Sequence, residues 1–260
     1  MLAETNQPVL DGMPRRLYPC TPTRLSMWLD CPRRYRMAYL DRPAPAKGPP
    51  WAHNSFGASV HNALAGWWRL RRPERTVTAA GDLLERGWIE EGYTGPGQSV
   101  EQRAKARDMV ERYTATLDPG DEPLGVERTV GTHTEHIVVS GRIDRLDSRR
   151  GPAGETELAV VDYKTGRPRS QKDADKSLQL SVYALAAERA LGLRPLRLTF
   201  YNLSNNQAVS TVRTDKDLGD VVREIGQVAE AIRREEFEPT PGYACRRCEF
   251  TAICPTQEEA

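Results

Sequence analysis

Three side chains near the middle of the chain, Asp144, Asp162 and Lys164, are of types that could bind a divalent cation and act on a phosphate. Asp144 lies in GRIDRLD, residues 141–147, and the other two lie in VVDYKTG, residues 160–166. On a β-strand, side chains two residues apart point to the same face, so Asp162 and Lys164 are predicted to project together. Two neighbouring carboxylates are costly unless a cation lies between them, and such hard oxygen ligands suit Mg²⁺ or Mn²⁺. The pattern indicates a metal site with a positive charge beside it for a water nucleophile or a phosphate.

The same pattern has a simpler interpretation, in which an exposed strand carries an acid–lysine pair that contributes little to stability. Further residues favour the metal site. His61, in FGASVH at residues 56–61, stands on a predicted helix, although alone it could be a packed helix histidine. Gln179 and Tyr183 are four residues apart on the helix predicted after the acidic strand, so they share one face.

The periodicity of apolar residues predicts an α/β fold, a small mixed sheet flanked by helices, because helical spacing changes to strand alternation and back again along the chain. The predicted helices cover residues 23–40 with a boundary at Pro32, 56–70, 79–93, 100–117, 174–191 and 216–235. The predicted strands cover residues 125–131, 136–146, 158–164, 196–202 and 208–213. We expect the first three strands to form a meander and a helix to cross between later strands.

The chain is expected to form one catalytic core with additions, since 260 residues leave little room for two independent folds. The expected parts are a flexible arm at residues 1–20, an N-terminal helical region at 21–120, the core at 121–240 and a C-terminal cysteine-bearing tail at 241–260. The arm is predicted because its residues are rich in proline, arginine and polar groups without periodicity.

Five cysteines in a chain without secretory features are not a disulfide framework, so their spacing indicates metal binding. Cys245, Cys248 and Cys254 are close enough in sequence to share one centre, and a fourth ligand must come from Cys31 or Cys20. Four thiolates suit zinc or an iron–sulfur cluster. Zinc modules usually hold two paired cysteine motifs close together, whereas here the fourth thiolate lies more than two hundred residues away, which favours iron and sulfur.

GRIDRLD and VVDYKTGR resemble the active-site pair of the RecB-like branch of PD-(D/E)XK nucleases. His61 is similar to the metal-coordinating histidine of that family, and Gln179 with Tyr183 resembles its Q-x-x-x-Y element. The matching segments occur in the family's order over residues 23–255. The resemblance implies a restriction-endonuclease-like core and a metal-dependent DNA nuclease that hydrolyses phosphodiester bonds.

By this resemblance, the metal ligands would be two carboxylates, an imidazole and one backbone carbonyl, from Asp144, Asp162, His61 and Tyr163 respectively. The metal would stabilise charge on the phosphate oxygens while Lys164 orients or polarises the attacking water. Gln179 and Tyr183 would line the path of the DNA strand. Glu127, on the first predicted strand of the meander, is either a supporting carboxylate or an ordinary surface residue.

The resemblance also implies a role for the cysteines. AddB-type nucleases and the RecB-like exonucleases associated with CRISPR loci carry a [4Fe-4S] cluster held by one N-terminal and three C-terminal cysteines. Cys31 precedes a proline and a basic, aromatic run, as the N-terminal ligand of those proteins does. This implies Cys31, Cys245, Cys248 and Cys254 as ligands and Cys20 as a free thiol. The cluster would join the two ends of the chain, and its role would be structural.

The net charge of +1 neither favours nor excludes nucleic acid, because binding depends on local clusters of charge. Such clusters occur near the N-terminus and after the acidic strand, although each also has the simpler interpretation of a solvated face. They consist of Arg15, Arg16, Arg24, Arg33, Arg34 and Arg36, and of Lys164, Arg167, Arg169, Lys172 and Lys176. The sequence has neither an apolar run long enough for a bilayer nor the features of a secretory signal, so we expect no membrane association and a cytoplasmic location.

These observations lead to a main hypothesis and two rivals. The main hypothesis is an exonuclease that takes single-stranded DNA ends in repair, recombination or CRISPR adaptation. The first rival is a non-catalytic iron–sulfur DNA-binding subunit, and the joint presence of Asp144, Asp162 and Lys164 argues against it. The second is a nuclease subunit that works with a separate helicase or with other repair or CRISPR proteins. The sequence has no G-x-x-x-x-G-K-[ST] phosphate loop, so this chain is not itself a motor.

Overall fold

A short strand, β1 (Tyr18–Cys20), begins the part of the chain that the structure describes. This computed structural model describes residues 18–48, 50–133, 137–151, 153–254 and 256. Most of the arm expected at residues 1–20, with Arg15 and Arg16, therefore lies outside the described residues. Residues 18–20 of the expected arm form β1, which pairs in parallel with a longer strand.

Five α-helices lie between β1 and the next strand within the described residues. They are α1 (Pro22–Asp30), α2 (Pro32–Tyr39), α3 (Ala52–Arg69), α4 (Val77–Arg86) and α5 (Pro96–Thr114). The boundary predicted at Pro32 is confirmed, since proline fits the first turn of α2. The helix predicted at residues 79–93 is wrong beyond Arg86, because Gly87 ends α4 there. Among the described residues, no helix combines the length and the apolar composition needed to cross a membrane.

Six strands of the described residues form one mixed sheet, in agreement with the predicted fold class. After β1, they are β2 (Gly125–His133), β3 (Ile137–Arg150), β4 (Thr156–Lys164), β5 (Arg197–Asn202) and β6 (Gln207–Thr211). Their order is β1-β3-β4-β5-β6, and β2 pairs with β3 outside this path. The strands β2, β3 and β4 form the predicted antiparallel meander, whereas β4 and β5 are parallel.

A helical crossover joins the parallel strands β4 and β5. It consists of α6 (Gln171–Asp175) and α7 (Leu178–Leu191), and α8 (Asp215–Arg233) follows β6. The single helix predicted at residues 174–191 is therefore wrong in its first turn. A new helix starts there because the Ser177 hydroxyl accepts a hydrogen bond from the Leu180 amide and caps α7. Gly192 ends α7 with a φ of 70°, the left-handed conformation that glycine adopts without strain.

Helices cover both faces of the sheet, and the side chains of β4 alternate between them. Val160 packs in the core beneath α7 and α8, whereas Val161 and Tyr163 pack in the core beneath α3 and α5. By the same alternation, Asp162 and Lys164 lie on the face toward α7. The alternation of β4 thus places both charged side chains beside the crossover helix.

Candidate active site and cysteine cavity

Asp162, Lys164 and Gln179 form a closed set of polar contacts between β4 and α7. Lys164 Nζ lies 2.6 Å from Asp162 Oδ2 and donates a hydrogen bond of 2.8 Å to Gln179 Oε1. Gln179 Nε2 donates to Asp162 Oδ1 at 2.7 Å, and it lies 2.8 Å from the hydroxyl of Tyr183, one helical turn away. The structure therefore brings together four of the residues that the sequence predicts for the site.

Asp144 reaches the same site from β3. The antiparallel register places Asp144 and Asp162 on facing strands, one residue beyond their last paired positions. Asp144 Oδ2 accepts a hydrogen bond of 2.7 Å from the Tyr163 amide, and its Oδ1 lies 3.2 Å from His61 Nδ1. His61 extends from the middle of α3, so three elements that are separate in sequence converge here.

Glu127 of β2 is a third acidic residue at this site. Glu127, Asp144 and His61, which we call the ligand cluster, each place one ligand atom within 4.8 Å of the other two. Glu127 has a φ of 50°, a left-handed conformation that is strained for a residue other than glycine. Such strain costs about 1–3 kcal/mol and persists where the surrounding structure holds the residue. No sequence pattern indicates this conformation, so sequence reasoning left Glu127 outside the set of ligands.

Burial and crowding of negative charge shift the pKa values at this site. Burial raises the pKa of Asp162 to about 6 even though the Lys164 charge lowers it, and the Asp144 charge adds to the increase. Burial and then the charge of Asp144 raise the pKa of Glu127. Burial lowers the pKa of His61, but its hydrogen bond with Asp144 and the negative charges around it outweigh burial and raise the pKa. A divalent cation would relieve this crowding of negative charge.

The donor atoms fit a hard divalent cation. The ligand cluster offers two carboxylates and one imidazole within reach of a common centre. Asp162 Oδ2 is buried and, among the described residues, accepts no hydrogen bond of regular geometry, although Lys164 is close to it. Donor sets rich in carboxylate oxygen favour Mg²⁺ or Mn²⁺ over softer metals. The residues present therefore fit a divalent cation.

A buried network anchors Tyr163 on the opposite face of β4. The Tyr163 hydroxyl accepts a hydrogen bond of 3.1 Å from Tyr113, and the Tyr113 oxygen accepts one of 2.9 Å from Arg145 Nη1. Two nitrogens of Arg145 donate to Asp147 Oδ2 at 2.7 and 3.0 Å. We call these four residues the Arg145 network. The Tyr163 amide donates to Asp144, so the network helps to position the candidate site from the opposite face of the sheet. Sequence reasoning missed the network because Tyr113 lies on α5, far from the acidic motif in the sequence.

We expect Tyr113→Phe to lower the free energy of unfolding by about 1–3 kcal/mol, because it leaves Arg145 and Tyr163 buried without one of their partners. Urea titration of the variant and the unchanged protein would measure the difference. Tyr201→Phe is the matched control, since the Tyr201 hydroxyl bonds to Asn206 in a partly buried position and should contribute less. Equal losses in the two variants would contradict the positioning role of the network.

Four cysteines line one cavity, which we call the cysteine cavity. They are Cys31, Cys245, Cys248 and Cys254, and all four are free thiols. Cys31 lies at the junction of α1 and α2, and the other three lie in or next to two short 3₁₀ helices near the C-terminus. Arg34 and Glu249 join the two walls through an ion pair of 2.7 Å. The structure thus brings the thiols of both chain ends to one place.

The separation of the sulfur atoms bears on which metal would fit the cavity. No three sulfur atoms of the described cysteines lie within 4.8 Å of one another. A single tetrahedral zinc with bonds of about 2.3 Å needs its thiolates about 3.8 Å apart. An iron–sulfur cluster binds each thiolate at a different iron and therefore holds the sulfur atoms farther apart.

Cys20 lies apart from the cysteine cavity. It belongs to β1 and is 1% exposed in the core beneath α7, where burial raises the pKa of its thiol to about 11. The expectation that Cys20 stands in an unpatterned arm is wrong, because β1 is paired with Val139 of β3 at this position. Cys20 is not among the described residues that line the cavity.

Known proteins resemble this chain in sequence profile and in fold. The sequence profile of the PD-(D/E)XK nuclease superfamily matches residues 19–255. Among solved structures, the chain is similar to a "putative exonuclease" from Eubacterium rectale, with 12% identity, a TM-score of 0.53 and 92% of each chain covered. It is also similar to SSO0001, with 13% identity, a TM-score of 0.42, and 94% of this chain and 89% of that chain covered. At 12% identity the first likeness concerns the fold alone. No curated protein sequence gives a significant match.

Proposed function

The chain belongs to the PD-(D/E)XK nuclease superfamily, and from that premise we propose that it is a divalent-metal-dependent deoxyribonuclease of the RecB-like branch. In this proposal it hydrolyses phosphodiester bonds as a single-strand DNA exonuclease. The observation that carries the proposal is the convergence of Asp144 with the Asp162–Lys164 pair, whose charged groups are 2.6 Å apart. Asp162 is 2% exposed, which disagrees with the simpler interpretation of an acid–lysine pair on a solvated strand.

The polar side chains of the site have separate roles in this proposal. The metal ligands would come from Asp144, His61 and Glu127 with Asp162 beside them, and the Tyr163 carbonyl remains a predicted ligand. A bound Mg²⁺ or Mn²⁺ would supply Lewis-acid stabilisation of charge on the phosphate oxygens. Lys164 holds its amine at the Asp162 carboxylate, where it can orient a water molecule or contact the phosphate. Removal of either partner of this buried pair would leave the other without a counter-charge.

Gln179 has a positioning role in this proposal, in addition to the place along the DNA path predicted for Gln179 and Tyr183. Both ends of its amide are engaged, one by Lys164 and the other by Asp162. We expect Gln179→Ala to lower kcat by about 10–100-fold with little change in metal affinity, because Lys164 loses a partner that orients it. Steady-state kinetics and Mn²⁺ calorimetry would measure the two effects.

Tyr183→Phe is a second variant that tests the same contacts. The Tyr183 hydroxyl lies 2.8 Å from Gln179 Nε2, so it acts on Asp162 and Lys164 through Gln179. Its effect on kcat should be smaller than that of Gln179→Ala. A collapse of Mn²⁺ affinity in Gln179→Ala with an unchanged kcat would contradict the positioning role.

The exonuclease assignment is tested on DNA with and without ends. The protein is incubated with Mg²⁺ or Mn²⁺ and with end-labelled linear single strands, linear duplexes and a circular single strand. We expect degradation of the linear single strand and survival of the circle. Cleavage of the circle would contradict an exonuclease in favour of an endonuclease. Binding without hydrolysis of any substrate would favour the rival, a non-catalytic DNA-binding subunit.

A [4Fe-4S] cluster in the cysteine cavity is a further part of the proposal. Its support is the convergence of four free thiols whose spacing disagrees with a single zinc ion. Cluster ligation would join the α1–α2 junction to the C-terminal tail and stabilise both, so we assign it a structural role.

The cellular setting proposed for this nuclease is the cytoplasm, in DNA repair, recombination or CRISPR adaptation. Because the sequence has no phosphate loop, any ATP-driven unwinding must come from a separate helicase or from another repair or CRISPR protein. Duplex degradation that requires an added helicase and ATP would support such a partner. Rapid duplex degradation by the chain alone would argue against the need for one.

A further inference from the structure

Arg142 stands beside the ligand cluster with no role in the chemistry described so far. It is two residues from Asp144 on β3, and both side chains line the same pocket. Its Nε forms an ion pair with Glu127 Oε2. The Arg142 side chain is 64% exposed whereas the Glu127 side chain is 10% exposed, so the pair runs from the solvent into the site. Arg142 therefore marks the entrance to the ligand cluster.

An open pocket lies in front of this entrance. It is lined by Gly57, Ala58, His61, Asn62, Glu127, Arg142 and Asp144. The wall that α3 contributes is built partly from the small residues Gly57 and Ala58, which leave room beside His61. Among the described residues that line the pocket, Arg142 is the one with a permanent positive charge. An anionic ligand that enters the pocket would meet this guanidinium first.

We propose that Arg142 is a phosphate-binding residue that exchanges its contact with Glu127 for a phosphate of the DNA strand when a divalent cation is bound. The inference rests on the proposed function. Glu127 holds Arg142 and also belongs to the ligand cluster, so one carboxylate must serve both the guanidinium and the cation. A guanidinium freed from Glu127 keeps a flexible, exposed stem, and its paired donors fit the oxygens of a phosphate.

This exchange couples metal binding to DNA binding through Arg142. The cation raises the affinity for DNA because it frees the guanidinium, and by linkage DNA raises the affinity for the cation by the same factor. The contact carries no sequence information, since the ligand is the phosphate backbone. Arg142 would therefore set the position of the strand beside the reacting bond for any DNA sequence.

The test measures binding of a fluorescent single-stranded oligonucleotide at several salt concentrations, in Mn²⁺ and in EDTA. The proteins carry Lys164→Ala so that the DNA stays intact. In Mn²⁺ we expect Arg142→Ala to weaken binding about 10-fold and to reduce the slope of log affinity against log salt by about 0.7, the value for one phosphate contact on a single strand. In EDTA the same substitution should have a smaller effect.

Arg149→Ala is the matched control, because Arg149 is an exposed arginine on the same strand, 3.6 Å from Glu157 and outside the pocket. It should leave the affinity and the salt slope unchanged. Calorimetry without DNA measures the Mn²⁺ affinity, which distinguishes competition for Glu127 from a purely structural role of Arg142. Arg142→Ala should bind Mn²⁺ at least as tightly as the parent, since a competitor for Glu127 is gone, whereas Glu127→Gln should bind it about 10–100-fold more weakly.

The inference would be overturned by an unchanged salt slope in Arg142→Ala, or by equal losses in Mn²⁺ and EDTA. It would also be overturned if Arg142→Ala lost Mn²⁺ affinity as Glu127→Gln does, because Arg142 would then support the ligand. Absence of DNA cleavage by the unchanged protein would overturn the proposed function and not this inference, which the binding measurements decide by themselves.

Discussion

Asp162→Ala is expected to lower the rate of DNA cleavage by about 10³-fold or more, since metal-assisted catalysis is worth several kcal/mol and each ~1.4 kcal/mol is tenfold in rate. The substitution removes a buried carboxylate oxygen beside the ligand cluster. It also removes the group that lies 2.6 Å from Lys164 Nζ, so the lysine loses its counter-charge. Initial rates with an end-labelled single strand in Mg²⁺ and in Mn²⁺ would measure the loss.

The fold should survive this substitution, because the ionised carboxylate is itself unfavourable in the folded chain without a cation. Burial raises the pKa of Asp162 to about 6, so the folded chain keeps a proton that an unfolded chain releases near pH 4. The stability that comes with this proton is lost as the pH rises through about 6. At pH 8 in EDTA, Asp162→Asn, which preserves the side-chain volume, should therefore unfold at no lower temperature than the unchanged protein.

Addition of Mn²⁺ should raise the unfolding midpoint of the unchanged protein and leave that of Asp162→Ala nearly constant, because a ligand stabilises only the state that binds it. Lys164→Ala should be inactive yet keep the Mn²⁺ effect, since the lysine is not a ligand. Asp220→Ala is the matched control, as Asp220 also pairs with a lysine, Lys216 at 2.9 Å, but on the exposed face of α8. It should cleave DNA at the unchanged rate. Undiminished cleavage by a folded Asp162→Ala protein would reject the assigned site.

The parts of this structure that could be predicted from the sequence depend on short-range periodicity. Strand alternation alone places Asp162 and Lys164 on one face of β4, and the short turn after β3 brings Asp144 to the facing strand. Helical periodicity likewise places Gln179 and Tyr183 on one face of α7. Each of these relations joins residues of one element, or of two elements that follow each other in the sequence. Local sequence patterns are therefore enough to predict them.

The parts that could not be predicted depend on contacts between distant segments or on single dihedral angles. Glu127 joins the ligand cluster through a left-handed φ that its residue type does not indicate. Tyr113 supports the site from α5, a helix whose sequence shows only its own amphipathic pattern. Cys20 is ordered by a parallel pairing with Val139, more than one hundred residues away, and its proline-rich surroundings suggested an arm instead. In these cases tertiary contacts determine the local structure, and local propensity does not.

The second large effect is expected from single substitutions of the four cysteines of the cysteine cavity by alanine. Cys31→Ala, Cys245→Ala, Cys248→Ala and Cys254→Ala should each lose the brown colour, most of the iron and part of the thermal stability of anaerobically purified protein. The reason is that each would remove one of the four thiolates of the proposed centre, which would join segments more than two hundred residues apart. Metal binding of this kind contributes directly to folding free energy.

Cys20→Ala is the matched control, and its design depends on the burial of this residue. Cys20 is 1% exposed in an apolar core, so a serine there would bury a hydroxyl and destabilise the protein for reasons unrelated to metal. Alanine removes the sulfur without adding a polar group, and its cost should be limited to lost packing contacts. Thermal stability alone therefore does not separate the two groups, whereas iron content and the visible spectrum do.

Iron analysis and absorbance of the five variants, prepared side by side without oxygen, should give about four iron atoms per chain for the unchanged protein and for Cys20→Ala, as a [4Fe-4S] cluster requires. The four cavity variants should contain far less. Stoichiometric zinc without iron in the unchanged protein would reject the cluster, and it would also contradict the inference drawn from the sulfur separations. A colourless Cys20→Ala beside a brown Cys31→Ala would reject only the choice of the fourth ligand, because the three C-terminal thiols would then have found their partner in β1 instead of at the start of α2.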